Sequence, residues 1–331
     1  MRNRIAYVVL LAVLSGCSSE FNRPDTSGID IEVRVDPIYK KVFGGGDIHS
    51  KVIELSKGYG DMFSDYCGRE LRIGRPGDED FEENFKRFVE YKENKEVIAA
   101  CDSVYDSLGS LDDELTEALK CFKYYFSDVV TPEVYCHFSG FNSKILIDST
   151  YVSFSIEHYL GSGCRFYQWL EVPQYARRSK EAYNIVPDVL KALIYAHYPD
   201  ESESEDVLSA MLYQGKVLYC VKCCLPELEL SRLLGYSEEE LKWCEEAEAE
   251  MWGFLAEQRL LYSTNLIDRR KLVNEAPFTT YFGQSSPGRA VLYCAFNIIR
   301  SYMHHHPEET PESLLKCREA QRILMEAHYR P

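Results

Sequence analysis

Several catalytic signatures are missing from this 331-residue chain. None of its eight histidines (His49, His137, His158, His197, His304, His305, His306, His328) is followed by glutamate or has a histidine four residues on. A helical zinc peptidase needs that pattern, so that two imidazoles meet one ion and the glutamate works on its water. No Gly-x-Ser-x-Gly elbow is present. Gly44-Gly45-Gly46 lacks the Gly-Lys-Ser/Thr of a phosphate loop and reads as a turn. Basic charge is short, with 37 Lys and Arg against 53 Asp and Glu. At a net charge of -16 the chain is a poor partner for nucleic acid phosphates. Tryptophan is scarce and unclustered, which removes a glycan-stacking platform. The apolar run Ile5–Leu14 would span only about 15 Å as a helix, too short for a hydrocarbon core of about 30 Å.

What is present begins with that run. Arg2 and Arg4 precede it, and Leu14-Ser15-Gly16-Cys17 follows. A positive start, a short apolar core and small residues before a cysteine mark an export signal of the bacterial lipoprotein type. Residues 1–16 read as the signal and Cys17 as the acylated first residue of the mature chain, with palmitate among the expected acyl groups. More than one acyl chain makes a stable membrane anchor. Losing Arg2 and Arg4 leaves a net charge of about -18, so lipid rather than basic charge must hold the body to an anionic bilayer. Beyond Cys17 there are eleven cysteines, an odd number at scattered spacing, which suits small core residues better than a disulfide framework. Cys220-x-x-Cys223-Cys224 has no second pair to complete a metal site, and Cys164 has no histidine partner for nucleophilic work.

Residues 17–28 read as the lipidated cysteine and a flexible polar tether, and residues 29–331 as a single globular domain. Ile29–Val35 alternates as a half-buried strand. Ile48–Ser127 is mostly helical, with acids following a cap at Ser110. Val134–Phe138 and Lys144–Phe154 read as two strands joined by Ser139-Gly140-Phe141-Asn142. Helices are predicted over Val186–Tyr198, Val207–Cys224, Glu238–Leu261, Gly288–Met303 and Pro311–His328. Ser237 and Glu240 form a capping box, and Ser286-Pro287 opens the fourth of these helices. His304-His305-His306 stands at a helix end, suited to its dipole, and the acids of Asp200–Asp206 and Asp78–Glu83 read as solvated loops. The fold class is α+β: mostly helical, with a small mixed sheet packed on a larger helical body.

The second half carries ordered blocks: Ile145-Leu146-Ile147-Asp148, Tyr151 through Gly161, Val186-Pro187-Asp188-Val189, and Met211 through Tyr219. Gly235 through Cys244, Ala276-Pro277-Phe278, Ser286-Pro287-Gly288-Arg289 and Arg300-Ser301-Tyr302-Met303 follow. In order and spacing they resemble the GldB family of gliding-motility lipoproteins. The resemblance implies a Bacteroidetes-type cell-envelope protein, lipid-anchored, with envelope proteins of a motility or surface-secretion machine as partners. The inner and the outer membrane both fit. The family is also similar in outline to predicted zincin-like peptidases, in which a His-Glu-x-x-His helix precedes a helix bearing Glu-Gly. Here Val189–His197 would be the first helix and Gln214-Gly215 the second position, with His197 as at most one ligand. A neutral amide at Gln214 cannot act as general base. The expectation is therefore a zincin-like scaffold with no cofactor, no metal and no catalytic residue. Its cleft would be kept as a binding groove edged by Asp188, Tyr213, Gln214, Lys216 and Arg289. The rival is a metal-dependent peptidase with a non-standard ligand set.

Overall fold

The computed structural model describes residues 21–105 and 108–331. Cys17 and the signal-like run 1–16 lie outside the described residues. Helices α1 (Ile38–Phe43), α2 (Ile48–Asp65), α3 (Phe81–Glu90), α4 (Lys92–Val104) and α5 (Gly109–Tyr125) fill the first part. The sheet follows as β1 (Glu133–His137), β2 (Ile145–Ile147) and β3 (Tyr151–Ser155). Then come α6 (Ile185–His197), α7 (Val207–Cys224), α8 (Glu238–Glu257), α9 (Val291–His305), α10 (Pro311–Lys316) and α11 (Ala320–Glu326), with short helical turns between them. The class is the expected α+β. No described helix is long and apolar enough to cross a membrane.

The sheet order is β1-β3-β2, with β1 parallel to β3 and β2 antiparallel to it. Lys144–Phe154 is thus a hairpin rather than one strand. It turns at Asp148-Ser149-Thr150, where the Asp148 N–H donates to the Tyr151 carbonyl over 3.0 Å. Central β3 is buried throughout. Val134, Cys136, Val152 and Phe154 face the main core under α5 and α6, while Tyr135, Leu146 and Tyr151 face a second core under α1–α3. The sheet is therefore covered by helices on both faces.

Ile29–Val35 keeps its alternation, with Val33 and Val35 buried, but it is not a strand. The Val33 N–H donates to Thr116 Oγ1 and the Val35 N–H to Asp112 Oδ1, each at 2.9 Å. Side chains of α5 satisfy the groups a neighbouring strand would have taken, and the segment joins the sheet only through one bridge, Asp36 to Tyr135. Asp112 is used for this, and α5 has no side-chain cap at Ser110.

Helix α7 is the axis of the body and packs most extensively on α9. A Cβ on Gly215 would lie 2.8 Å from the Ala295 carbonyl oxygen, so glycine lets the two backbones approach. Asp206, in the acidic loop, caps α7 by accepting from the Ser209 N–H at 2.8 Å. The capping box of Ser237 and Glu240 opens α8 as read. That helix stops at Glu257 because Arg259 takes a left-handed φ of 56°. Pro287 does not open α9, which begins at Val291. Pro311–His328 splits into α10 and α11 around Cys317. All eleven cysteines among the described residues are free, and all but Cys164 and Cys317 are buried.

Candidate functional site

The five residues of the expected groove separate into two places. On a helix, residues 213 and 216 share a face and 214 does not. Tyr213 and Lys216 turn towards the α6–α7 loop and bound a cavity of about 210 Å³ that His197, Asp200 and Arg318 also line. Both are tied to backbone there. The Tyr213 hydroxyl donates to the Tyr198 carbonyl at 2.8 Å, and the Lys216 ammonium, only 3% exposed, donates to the Cys317 carbonyl. Lys216 thereby satisfies the end of α10. Burial lowers its pKa. These two residues fasten the fold rather than edge the groove. His197, exposed on that same side, does not face Gln214.

Gln214, Asp188 and Arg289 gather on the other side of α6 and α7. The partner of Gln214 is Tyr195, whose hydroxyl donates to Oε1 at 2.7 Å. Tyr195 is 40% exposed and lies one turn beyond Lys191 on the same face of α6. Asp188, a further turn back, accepts from the Lys144 ammonium at 3.3 Å and the Tyr159 hydroxyl at 3.1 Å, and lies 3.9 Å from the Lys191 ammonium. Arg289 pairs with Glu275 at 3.6 Å and reaches the Leu234 carbonyl at 3.5 Å. Burial depresses the Lys191 pKa, opposed by Asp188 and reinforced by the charges of Arg289 and Lys144. Three cations thus face two carboxylates in a chain whose net charge is strongly negative.

Local chemistry holds Arg289 there. Thr279 is fully buried, and its hydroxyl donates to the Pro287 carbonyl at 2.7 Å and accepts from the Ala290 N–H at 2.9 Å. The Thr279 N–H is bonded to the Pro287 carbonyl at 3.0 Å. This knot presses Gly288 against Ala276 and sets Arg289 at a φ of 59°, a left-handed conformation costly for a residue with a Cβ. The Tyr236 hydroxyl clamps the Arg289 carbonyl at 2.9 Å. The blocks Ala276-Pro277-Phe278 and Ser286-Pro287-Gly288-Arg289 are the two sides of this knot.

Joined to the cluster through Tyr159 and Asp188 is a buried polar layer from the block Ser155–Gly161. The fully buried Glu157 accepts from the Ser139 N–H at 2.8 Å, the Ser139 hydroxyl at 2.7 Å and the Phe141 N–H at 3.0 Å. Burial pushes its carboxyl pKa up while these bonds pull it back. His158 Nδ1 lies 2.9 Å from the Lys180 ammonium, and burial drives His158 down to about 3 and Lys180 to about 8. His137 shares a 2.7 Å bond with Ser153 and is likewise lowered to about 3 by burial. This layer positions Tyr159, and through it Asp188. Glu157→Leu should cost about 2–4 kcal/mol in denaturant unfolding, because Ser139 and Phe141 lose their acceptor, while Glu157→Gln should cost clearly less. Equal losses for the two variants would show that the hydrogen bonds are not what matters.

Lys144, Lys191 and Tyr195 belong to this cluster although no sequence motif marks them. The signal that could have found the last two is their four-residue spacing on an otherwise apolar helix.

Fold and site together define an α+β domain whose two central helices carry a polar, cation-rich cluster on an apolar body. The family described as gliding motility protein GldB matches residues 19–331. The chain belongs to that family. No curated protein and no solved structure matches it.

Proposed function

We propose that this protein is a non-catalytic, lipid-anchored component of the cell envelope that holds a protein partner of a motility or surface-secretion machine at the α6–α7 cluster. The observation that carries this reading is the pairing of α6 with α7. Tyr195 on α6 bonds Gln214 on α7, and Lys191 stands one turn back on that face of α6, whereas a zincin-like helix pair would carry two histidines and a carboxylate. An ammonium repels a divalent cation, and a phenol and an amide are poor substitutes for imidazole and carboxylate. Among the described residues no three His, Cys, Asp or Glu side chains converge as a metal-holding group. The excess of cations suits an acidic side chain or terminal carboxylate on the partner. Family membership and the Leu14–Cys17 pattern support the envelope setting and the lipid anchor.

The test is a photo-crosslinking amino acid at Tyr195 in living cells. A defined envelope protein should be captured, and Arg289→Ala should reduce its capture about tenfold, the equivalent of about 1.4 kcal/mol. Unaltered capture by a correctly folded Arg289→Ala protein would remove the cluster from the account. Chelator-sensitive proteolysis by the native protein would replace it with the peptidase reading.

A further inference from the structure

We propose that the start of the described chain is a clamp rather than a leash, holding the domain against the membrane by the face formed at the end of α5 and the end of α7. This rests on the reading of Cys17 as the lipidated residue. Residues 17–28 read as the lipidated cysteine and a flexible tether, yet Phe21 is seated in an aromatic slot. Its ring centroid lies 5.3 Å from that of Tyr219 on α7 and 6.2 Å, nearly stacked, from that of Phe296 on α9. The Lys222 ammonium stands 5.7 Å from the ring centroid, a cation–π contact. The chain is then fastened along α5: Arg23 pairs with Glu117 at 3.2 Å, Val33 bonds to Thr116 and Val35 to Asp112.

Only four residue steps separate Cys17 from Phe21, a contour of at most about 14 Å. A domain of this length has a radius of gyration of about 19 Å, so an anchor that short forbids free tumbling. The residues closest to lipid are set by the slot. Lys222 is held by the Pro226 and Leu228 carbonyls and Arg23 by Glu117, so the short anchor rather than surface charge selects this face, on which Tyr124 is 52% exposed two helical turns along α5 from Glu117. An exposed tyrosine is a natural residue for the headgroup region. The partner of this surface is thus the bilayer in which the protein's own acyl chains sit.

The experiment uses the full chain, acylated in cells and reconstituted into phosphatidylglycerol-containing vesicles with a headgroup energy-transfer acceptor. A fluorescent amino acid is placed at Tyr124 or at Glu205, which lies just before α7. Helix α7 has 18 residues and is about 27 Å long. Energy transfer from position 124 should exceed that from 205 several-fold. Phe21→Ala should bring the two to parity, as should a flexible insertion of about ten residues between Glu20 and Phe21, which leaves the slot intact. Equal transfer in the native protein, or a contrast untouched by both variants, overturns the clamp. Failure of labelled palmitate to enter the native chain instead overturns the lipid anchor. In that case hydrogen exchange over residues 21–35 still shows whether Phe21 is seated.

Discussion

Gly288→Ala should destabilise the protein by more than about 3 kcal/mol in urea unfolding, or prevent it from folding. A Cβ at this position would lie 2.0 Å from the Ala276 carbonyl oxygen and 3.0 Å from its carbon. Both are backbone atoms, so no rotamer change relieves the overlap. The strands of chain that carry them are joined by Thr279, so the clash cannot open without breaking the bonds of its hydroxyl and N–H. Gly215→Ala, whose Cβ meets the Ala295 carbonyl at 2.8 Å, should cost less, about 1–3 kcal/mol, because two helices can separate slightly. Gly45→Ala, with nothing within 4 Å, is the control and should stay within about 0.5 kcal/mol of the native protein. If Gly288→Ala matches the Gly45 control, the knot does not set the position of Arg289.

Acid should unfold this protein from the histidine range downward. His137 and His158 are held neutral, each with a folded pKa of about 3 against 6.5 when exposed. A depressed folded pKa means that the unfolded chain binds more protons. The stability from each neutral ring is complete above about 6.5 and falls as the pH drops towards about 3. The loss approaches 1.4 kcal/mol per pH unit for each histidine, as an upper limit. Glu157 works the other way. Its carboxyl is raised by burial, so the folded state takes up that proton first and regains some stability as the pH falls from the raised folded value to 4.5, with no further change below it. The net slope should therefore be steepest between about 4.5 and 3, where Glu157 no longer offsets the histidines. Urea unfolding as a function of pH measures it, and replacing both histidines with asparagine should flatten it. An unchanged slope in the double variant would assign the acid response elsewhere.

Much of the fold is legible in local pattern. The apolar period of Val207–Cys224 gives α7 to the residue, and Ser237 with Glu240 gives the start of α8, because periodicity and capping are short-range physics. The failures are non-local. Ile29–Val35 has a strand's alternation, but its hydrogen-bond partners are Thr116 and Asp112, some eighty residues on. Pro287 has the chemistry of a helix start, yet the knot with Thr279 delays α9 to Val291. The break after α10 has no glycine or proline to announce it. There Lys216 reaches the Cys317 carbonyl from a distant helix. The turn at Asp148-Ser149-Thr150 is marked locally by its three polar residues.

The site was legible in part for the same reasons. Asp188, Gln214 and Arg289 stand in blocks whose polar residues interrupt apolar pattern, and they do share one side of the molecule. Tyr213 and Lys216 stand in the same kind of block and serve the backbone instead. Helical geometry alone separates them from Gln214. Lys144 arrives from the sheet, which no spacing within α6 or α7 could show.

Zinc content decides most directly whether the α6–α7 pair binds a partner instead of a metal. The native protein, purified without chelator, should carry less than about 0.1 zinc per chain, while the triple variant Lys191→His, Tyr195→His, Gln214→Glu should gain about one. Stoichiometric zinc in the native protein would contradict the account.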